Sequence, residues 1–216
     1  MVRSSSWCRL VVLISGNGTN LQAIIDACLS RTIQATVVGV ISNEPDAYGL
    51  IRARNKGIPT CVIDHRIFDG RKNFDTELEK TIDRFGPDLI ILAGFMRILG
   101  SKIVEHYLGR MLNIHPSLLP SYPGLDTHAR ALSDGAREHG ATVHFVTPEL
   151  DAGPIILQKR IRVEIGDTEQ TLAERVHQGE YEIYPQAIKW FAEGRLTLDK
   201  SRVYLDGSQI DTWSSS

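Results

Sequence analysis

Asn113 and His115 stand two residues apart in Met111-Leu112-Asn113-Ile114-His115-Pro116-Ser117-Leu118-Leu119-Pro120, an apolar run that stops at a proline. Alternate side chains of an extended chain share a face. A strand starting at Met111 therefore shows Met111, Asn113 and His115 on one side and sends Leu112 and Ile114 to the other. An amide donor can hold a developing oxyanion, and an imidazole can move a proton near neutral pH. Together they suit acyl transfer, or any reaction through a tetrahedral intermediate. The same pair could equally close a turn and supply a satisfied buried histidine, and spacing alone weighs the two readings evenly. Pro116 and Pro120 stiffen the segment beyond the strand by fixing φ and withdrawing two N–H donors. The space beyond a strand's carboxyl end is where open α/β sheets put their active sites.

Three further stretches carry chemical signals. Leu10 to Ile14 is a short buried strand, followed by Ser15-Gly16-Asn17-Gly18-Thr19-Asn20 and a helix-periodic segment from Leu21 to Ala27. Strand, glycine-rich turn and helix make a cradle of backbone N–H groups for an anion. Leu21 stands where the third glycine of a dinucleotide fingerprint belongs, and no Gly-Lys-Ser/Thr follows, so the loop reads as a site for one phosphate. The alternative is a tight turn with no ligand. Gly94-Phe95-Met96-Arg97-Ile98-Leu99 is apolar with one charge, where a loop should be polar. It either lines a slot for a flat ring or packs beneath the next helix. Glu180 falls on the apolar stripe Leu172, Val176, Ile183, Ala187 and Trp190 of a long helix. A carboxylate there sits at the rim or faces a ligand, and position alone favours the rim.

The elements that must position these residues alternate. Strands are expected over Leu10–Ile14, Thr36–Ile41, Thr60–Ile63, Pro87–Ala93, Met111–Ile114, Ala141–Val146 and Ile155–Val163. Helices are expected over Leu21–Ala27, Ala47–Lys56 with Asp46 as N-cap, Arg71–Phe85, Ile103–Leu108, Thr127–Leu132 and from Asp167-Thr168 to about Trp190, kinked at Pro185. The short connection between the last two strands makes them an antiparallel hairpin. The fold class is α/β: a mostly parallel, Rossmann-like three-layer sheet with an antiparallel C-terminal hairpin and a long C-terminal helix.

Composition narrows the function classes. A chain of 216 residues is expected to form a single domain, residues 1–216 with a core from about 9 to 206. Its 42% hydrophobic and 23% charged content is ordinary for a globular protein. A net charge of -2 argues against nucleic acid as a partner. No stretch reaches the roughly 18 apolar residues of a membrane span, which points to a cytoplasmic protein with Met1 to Ser6 as a frayed tail. Cys8, Cys28 and Cys61, an odd set without a CxxC pair, read as free thiols in a reducing compartment.

Ile14-Ser15-Gly16-Asn17-Gly18-Thr19-Asn20-Leu21, Ala93 to Leu99, Leu112 to Pro120 and Val143 to Pro154 together resemble the formyltransferase family that uses 10-formyltetrahydrofolate. The similarity runs from about Leu10 to Leu205, and the SGNGTN loop points to the members that act on a ribonucleotide. The resemblance implies that Asn113, His115 and Asp151 are catalytic. A carboxylate near an imidazole favours the charged ring. It also implies that Gly18, Thr19 and Asn20 hold a substrate phosphate and that Glu180 holds ribose hydroxyls. Arg71, Met96, Arg97, Ile98 and Leu99, with Asn113, match folate-contacting positions, and Thr147 to Asp151 closes over the pterin. The N-terminal half would then bind the phosphate, and the C-terminal half would carry the catalytic residues and most of the folate site. The implied reaction moves a formyl group from 10-formyltetrahydrofolate, as co-substrate, to the amine of glycinamide ribonucleotide in purine (IMP) synthesis. No metal and no nicotinamide is implied, and the protein would be a monomer or a homodimer. A 10-formyltetrahydrofolate hydrolase, an NAD-dependent dehydrogenase and a non-catalytic sugar-phosphate binder are the rival readings. The dehydrogenase lacks its third glycine and leaves Asn113, His115 and Asp151 unexplained.

Overall fold

A computed structural model describes residues 7–210; the expected tail from Met1 to Ser6 lies outside them. The chain divides into two compact units, Met1–Met111 and Leu112–Ser216.

In the first unit strands and helices alternate: β1 (Cys8–Ile14), α1 (Thr19–Leu29), β2 (Ala35–Ser42), α2 (Tyr48–Asn55), β3 (Thr60–Val62), a 3₁₀ turn (His65–Ile67), α3 (Arg71–Phe85), β4 (Leu89–Leu92) and α4 (Ser101–His106). The strands lie in the order β3-β2-β1-β4, and every pairing is parallel. Val12 of β1 meets Val40 on one side and Ile91 on the other. Leu10 to Ile14 and all of β4 are buried, which is why these runs are continuously apolar rather than alternating. Phe74, Leu78 and Ile82 form the buried stripe of α3. The stripe continues through Phe85, whose ring lies over β2 at Gly39. A Cβ there would sit 2.7 Å from the ring. Asp46 is not the cap of α2: Ala47 holds that position, with no side-chain cap hydrogen bond. The helix begins instead where the glycine-rich loop packs against it.

The second unit holds β5 (Met111–His115), α5 (Thr127–Ser133), β6 (Glu138–Phe145), β7 (Ile155–Arg162), α6 (Glu169–Ala192), β8 (Leu196–Asp199), β9 (Arg202–Leu205) and β10 (Ser208–Gln209). The β6–β7 hairpin is antiparallel as expected. So is the pairing of β5 with β6, which sets Asn113 opposite His144 and His115 opposite Thr142. The antiparallel part of the fold therefore starts one strand earlier than the hairpin alone suggested. α6 buries Leu172, Val176, Ile183, Tyr184, Ala187 and Ile188. Its start is fixed by a reciprocal cap. Thr171 N–H donates to the Thr168 hydroxyl at 3.2 Å, and Thr168 N–H donates to the Thr171 hydroxyl at 3.0 Å. The helix continues through Pro185. A small antiparallel sheet, β8-β9-β10, follows it. Sequence reasoning missed that sheet because its strands are short and largely exposed.

Candidate active site

Asn113, His115 and Asp151 come together in the second unit. β5 presents the first two on one face, as the alternation requires. Asp151 arrives by a less direct route. Because β6 runs antiparallel to β5, its carboxyl end at Phe145 lies beside Leu112, and the loop from Val146 to Pro154 must fold back to reach His115. Two features of the loop make this possible. Asp151 adopts a left-handed backbone, φ 51°, which Asp tolerates better than most residues. Gly153 lies so close to β6 that a Cβ would fall 1.7 Å from the Phe145 carbonyl oxygen. Phe145 N–H donates to the Pro154 carbonyl at 3.0 Å and closes the loop.

The resulting geometry is tight. Asp151 Oδ2 lies 3.4 Å from His115 Nδ1, both side chains are 7% exposed, and the same oxygen accepts from Gly124 N–H at 2.9 Å. His115 Nε2 is 2.8 Å from the Tyr122 carbonyl. A carbonyl can only accept, so Nε2 carries a hydrogen, and Nδ1, facing the carboxylate, is the nitrogen left to exchange a proton. Asn113 Nδ2 is 3.1 Å from His144 Nε2, and His144 Nε2 is 3.9 Å from Asp151 Oδ1. His144 was not singled out from the sequence. Its only signal there is cross-strand register, which pairs it with Asn113 once the β5–β6 direction is known. Burial pushes its imidazole below the ordinary histidine value, against the pull of the Phe145 carbonyl and Asp151. Glu180 is 3% exposed on α6, so the rim position favoured by its place on the stripe is overturned. A cavity of about 560 Å³ is lined by Thr147, Pro148, Glu149, Ala152, Pro154, Lys200 and Ser201.

The first unit carries the glycine-rich loop. Gly18, at φ 72°, precedes α1, whose N-terminus has no side-chain cap. The loop is gripped from outside. Gly49 N–H donates to the Gly16 carbonyl at 3.0 Å, and a Cβ on Gly18 would meet Gly49 Cα at 2.7 Å. Arg52 donates to the Asn17 carbonyl at 2.8 Å and to its side-chain oxygen at 3.1 Å. A fixed backbone turn at an uncapped helix start is suited to one anion. Thr19 and Asn20 form the first residues of that helix.

The Gly94–Leu99 loop is buried at some positions and open at others. Phe95 and Leu99 are buried, whereas Met96 and Ile98 are 65% and 50% exposed. Alternate residues therefore anchor the loop and offer an apolar surface. Arg97 lies 5.9 Å over the Phe74 ring. Arg71 and Arg97 both act on the carboxyl of Asp75, which accepts from Gly100 N–H at 2.8 Å. Burial nevertheless holds that carboxyl above its ordinary value. Ser15, which the sequence reading did not select, ties this loop to the glycine-rich loop. Its hydroxyl accepts from Met96 N–H at 2.7 Å and donates to Asn43 Oδ1, and its own N–H donates to the Gly94 carbonyl at 3.1 Å.

Comparison with known proteins identifies the family. The phosphoribosylglycinamide formyltransferase of Escherichia coli is 55% identical over 201 residues, 93% of this chain and 95% of that protein. The Haemophilus influenzae protein of the same name is 47% identical, covering 94% and 95%. Among solved structures, the phosphoribosylglycinamide formyltransferase of Coxiella burnetii, in complex with CHES, superposes with a TM-score of 0.92 at 53% identity, covering 95% of this chain and 97% of that one. The glycinamide ribonucleotide transformylase 1 of Symbiobacterium toebii gives 0.91 at 45% identity, with 95% and 97% covered. The family profile described as formyl transferase matches residues 8–188, from β1 nearly to the end of α6, and this chain belongs to the formyl transferase family.

Proposed function

We propose that this chain transfers a formyl group from 10-formyltetrahydrofolate to the amine of glycinamide ribonucleotide, giving the N-formyl product and tetrahydrofolate in purine synthesis. The observation that carries the reading is the gathering of half-buried Asn113, through His144, with the buried side chains of His115 and Asp151, in a chain 55% identical to a phosphoribosylglycinamide formyltransferase. In this reading the amine attacks the formyl carbon and the carbonyl oxygen becomes an oxyanion. Asn113 donates an amide hydrogen to it. His115 is held through Nε2 by the Tyr122 carbonyl and exchanges a proton through Nδ1. Asp151 orients that edge of the ring and balances its charge. The amine loses its proton, and the folate nitrogen gains one as the carbon–nitrogen bond to the folate breaks.

Gly18, Thr19 and Asn20 are assigned the substrate phosphate and Glu180 the ribose hydroxyls. Arg71 and Arg97 are assigned the carboxylates of the folate, with Met96, Ile98 and Leu99 along its ring. The two units then divide the labour of a single formyltransferase domain, with phosphate binding in the first and chemistry in the second. We place the reaction in the cytoplasm; no helix among the described residues is long and apolar enough to cross a membrane.

The test is a spectrophotometric assay of tetrahydrofolate release from 10-formyltetrahydrofolate, with and without glycinamide ribonucleotide. Release that needs the ribonucleotide and disappears in His115→Ala is expected. Release without the ribonucleotide would make the protein a hydrolase. No release under either condition would leave only sugar-phosphate binding.

A further inference from the structure

His144 sits on β6 directly across from Asn113, 3% exposed, with both ring nitrogens committed. Nδ1 is 2.9 Å from the Phe145 carbonyl. That oxygen can only accept, so Nδ1 carries the hydrogen. A ring this deeply buried is held neutral, since burial is the dominant influence on it. Its Nε2 is then a bare lone pair, and the atom it faces, 3.1 Å away, is Asn113 Nδ2. The opposite rotation of the amide would set Oδ1, a second acceptor, against that lone pair. The ring is held by its burial and by the Nδ1 bond to the Phe145 carbonyl.

We propose that His144 is a positioning residue for formyl transfer, a neutral acceptor that fixes the Asn113 amide so that its second N–H, and not its carbonyl, meets the reacting carbonyl oxygen. The assignment rests on the role given to Asn113 above. An asparagine has nearly isosteric ends, one a donor and one an acceptor. Only one of them stabilises an oxyanion, and the other repels it. The chain Phe145 carbonyl, Nδ1–H, ring, Nε2, H–Nδ2 transmits the direction of a fixed backbone oxygen to the amide. Preorganisation of this kind spares the donor from reorienting during the reaction. Asp151 Oδ1, 3.9 Å from Nε2, is beyond hydrogen-bond distance of that nitrogen.

Two measurements test this. The first uses the unaltered protein. Side-chain ¹⁵N NMR should show His144 with a protonated Nδ1, a bare Nε2 and scalar coupling from Nε2 to an Asn113 amide hydrogen. A protonated Nε2 would overturn the proposal whatever the activity. The second is a kinetic cycle with His144→Phe, Asn113→Ala and the double variant. His144→Phe keeps a ring of similar size and removes the acceptor. It should lower kcat about 100-fold, the cost of one misdirected donor, with KM for both substrates little changed. In the Asn113→Ala background the same change should cost almost nothing, because there is no amide left to orient. A second loss of similar size there, or no loss in the single variant, would overturn the proposal. Normal turnover in Asn113→Ala would instead overturn the role given to Asn113, and the NMR result would still report the amide's direction.

Discussion

Asp151 reaches His115 only because its own backbone is left-handed and Gly153 has no side chain. Its charge and its shape can be separated by substitution. Asn at this position tolerates the same backbone, and its carbonyl oxygen can still accept from Gly124 N–H. What Asp151→Asn removes is the negative charge beside Nδ1. We expect kcat to fall about 100- to 1000-fold, the range seen when one preorganised electrostatic partner is lost, while KM for the ribonucleotide stays close to its original value. Steady-state kinetics with each substrate varied in turn decide the matter. A risen KM with preserved kcat would make Asp151 a binding residue. Gly18 separates the other way. Its φ of 72° and its approach to Gly49 leave no room for a side chain. Gly18→Val should therefore distort the cradle and raise the ribonucleotide KM with a smaller effect on kcat. An unchanged KM would count against phosphate binding by this loop.

Ser15 shows how the end of one strand serves two loops. It follows β1, and its hydroxyl links Met96 N–H to the Asn43 side chain, so the glycine-rich loop and the apolar loop share a polar pivot. Losing such a part-buried hydrogen bond costs about 1 kcal/mol or somewhat more, because its partners remain. Ser15→Ala should raise KM for both substrates by several-fold to about tenfold, with the folded protein intact by circular dichroism. A shift in only one KM would mean that the loops are held independently. Such pivots were not legible in the sequence. Element spans were: α3 runs over Arg71–Phe85 and β5 over Met111–His115 because their apolar periodicities are strong and their ends are marked by Gly86 and Pro116. The direction of β5 against β6 was not, since alternation is the same for parallel and antiparallel partners, and so the register that brings His144 to Asn113 stayed hidden. Position alone was a poor guide to Glu180 and Asp46 for a related reason. Their spacing fits a rim position and a cap, and only packing decides that the first is buried and the second does not cap.

Titration connects the site region to the stability of the whole protein. His139, on β6, is 1% exposed and stands with its Nε2 3.1 Å from His128 Nδ1, and the Tyr122 ring packs on it edge-on. Burial first, and then the neighbouring His128, push its imidazole down to about 4 from an ordinary 6.5. His128 is itself lowered, by burial and by His177. Between about pH 6.5 and 4 the unfolded chain takes up protons that the folded chain refuses. More protons bound by the unfolded state means that stability rises with pH across this window, and it is lost as the pH falls. Each such proton contributes a slope of about 1.4 kcal/mol per pH unit. Carboxylates contribute acid sensitivity too, mostly below pH 5, so the diagnostic interval is pH 6.5 to 5, where histidines dominate. His139→Gln can still bond to His128 but cannot titrate. Urea unfolding midpoints at pH 7 and pH 5 should therefore drop steeply in the unaltered protein and less in the variant. Equal drops would show that His139 is protonated without cost in the folded state.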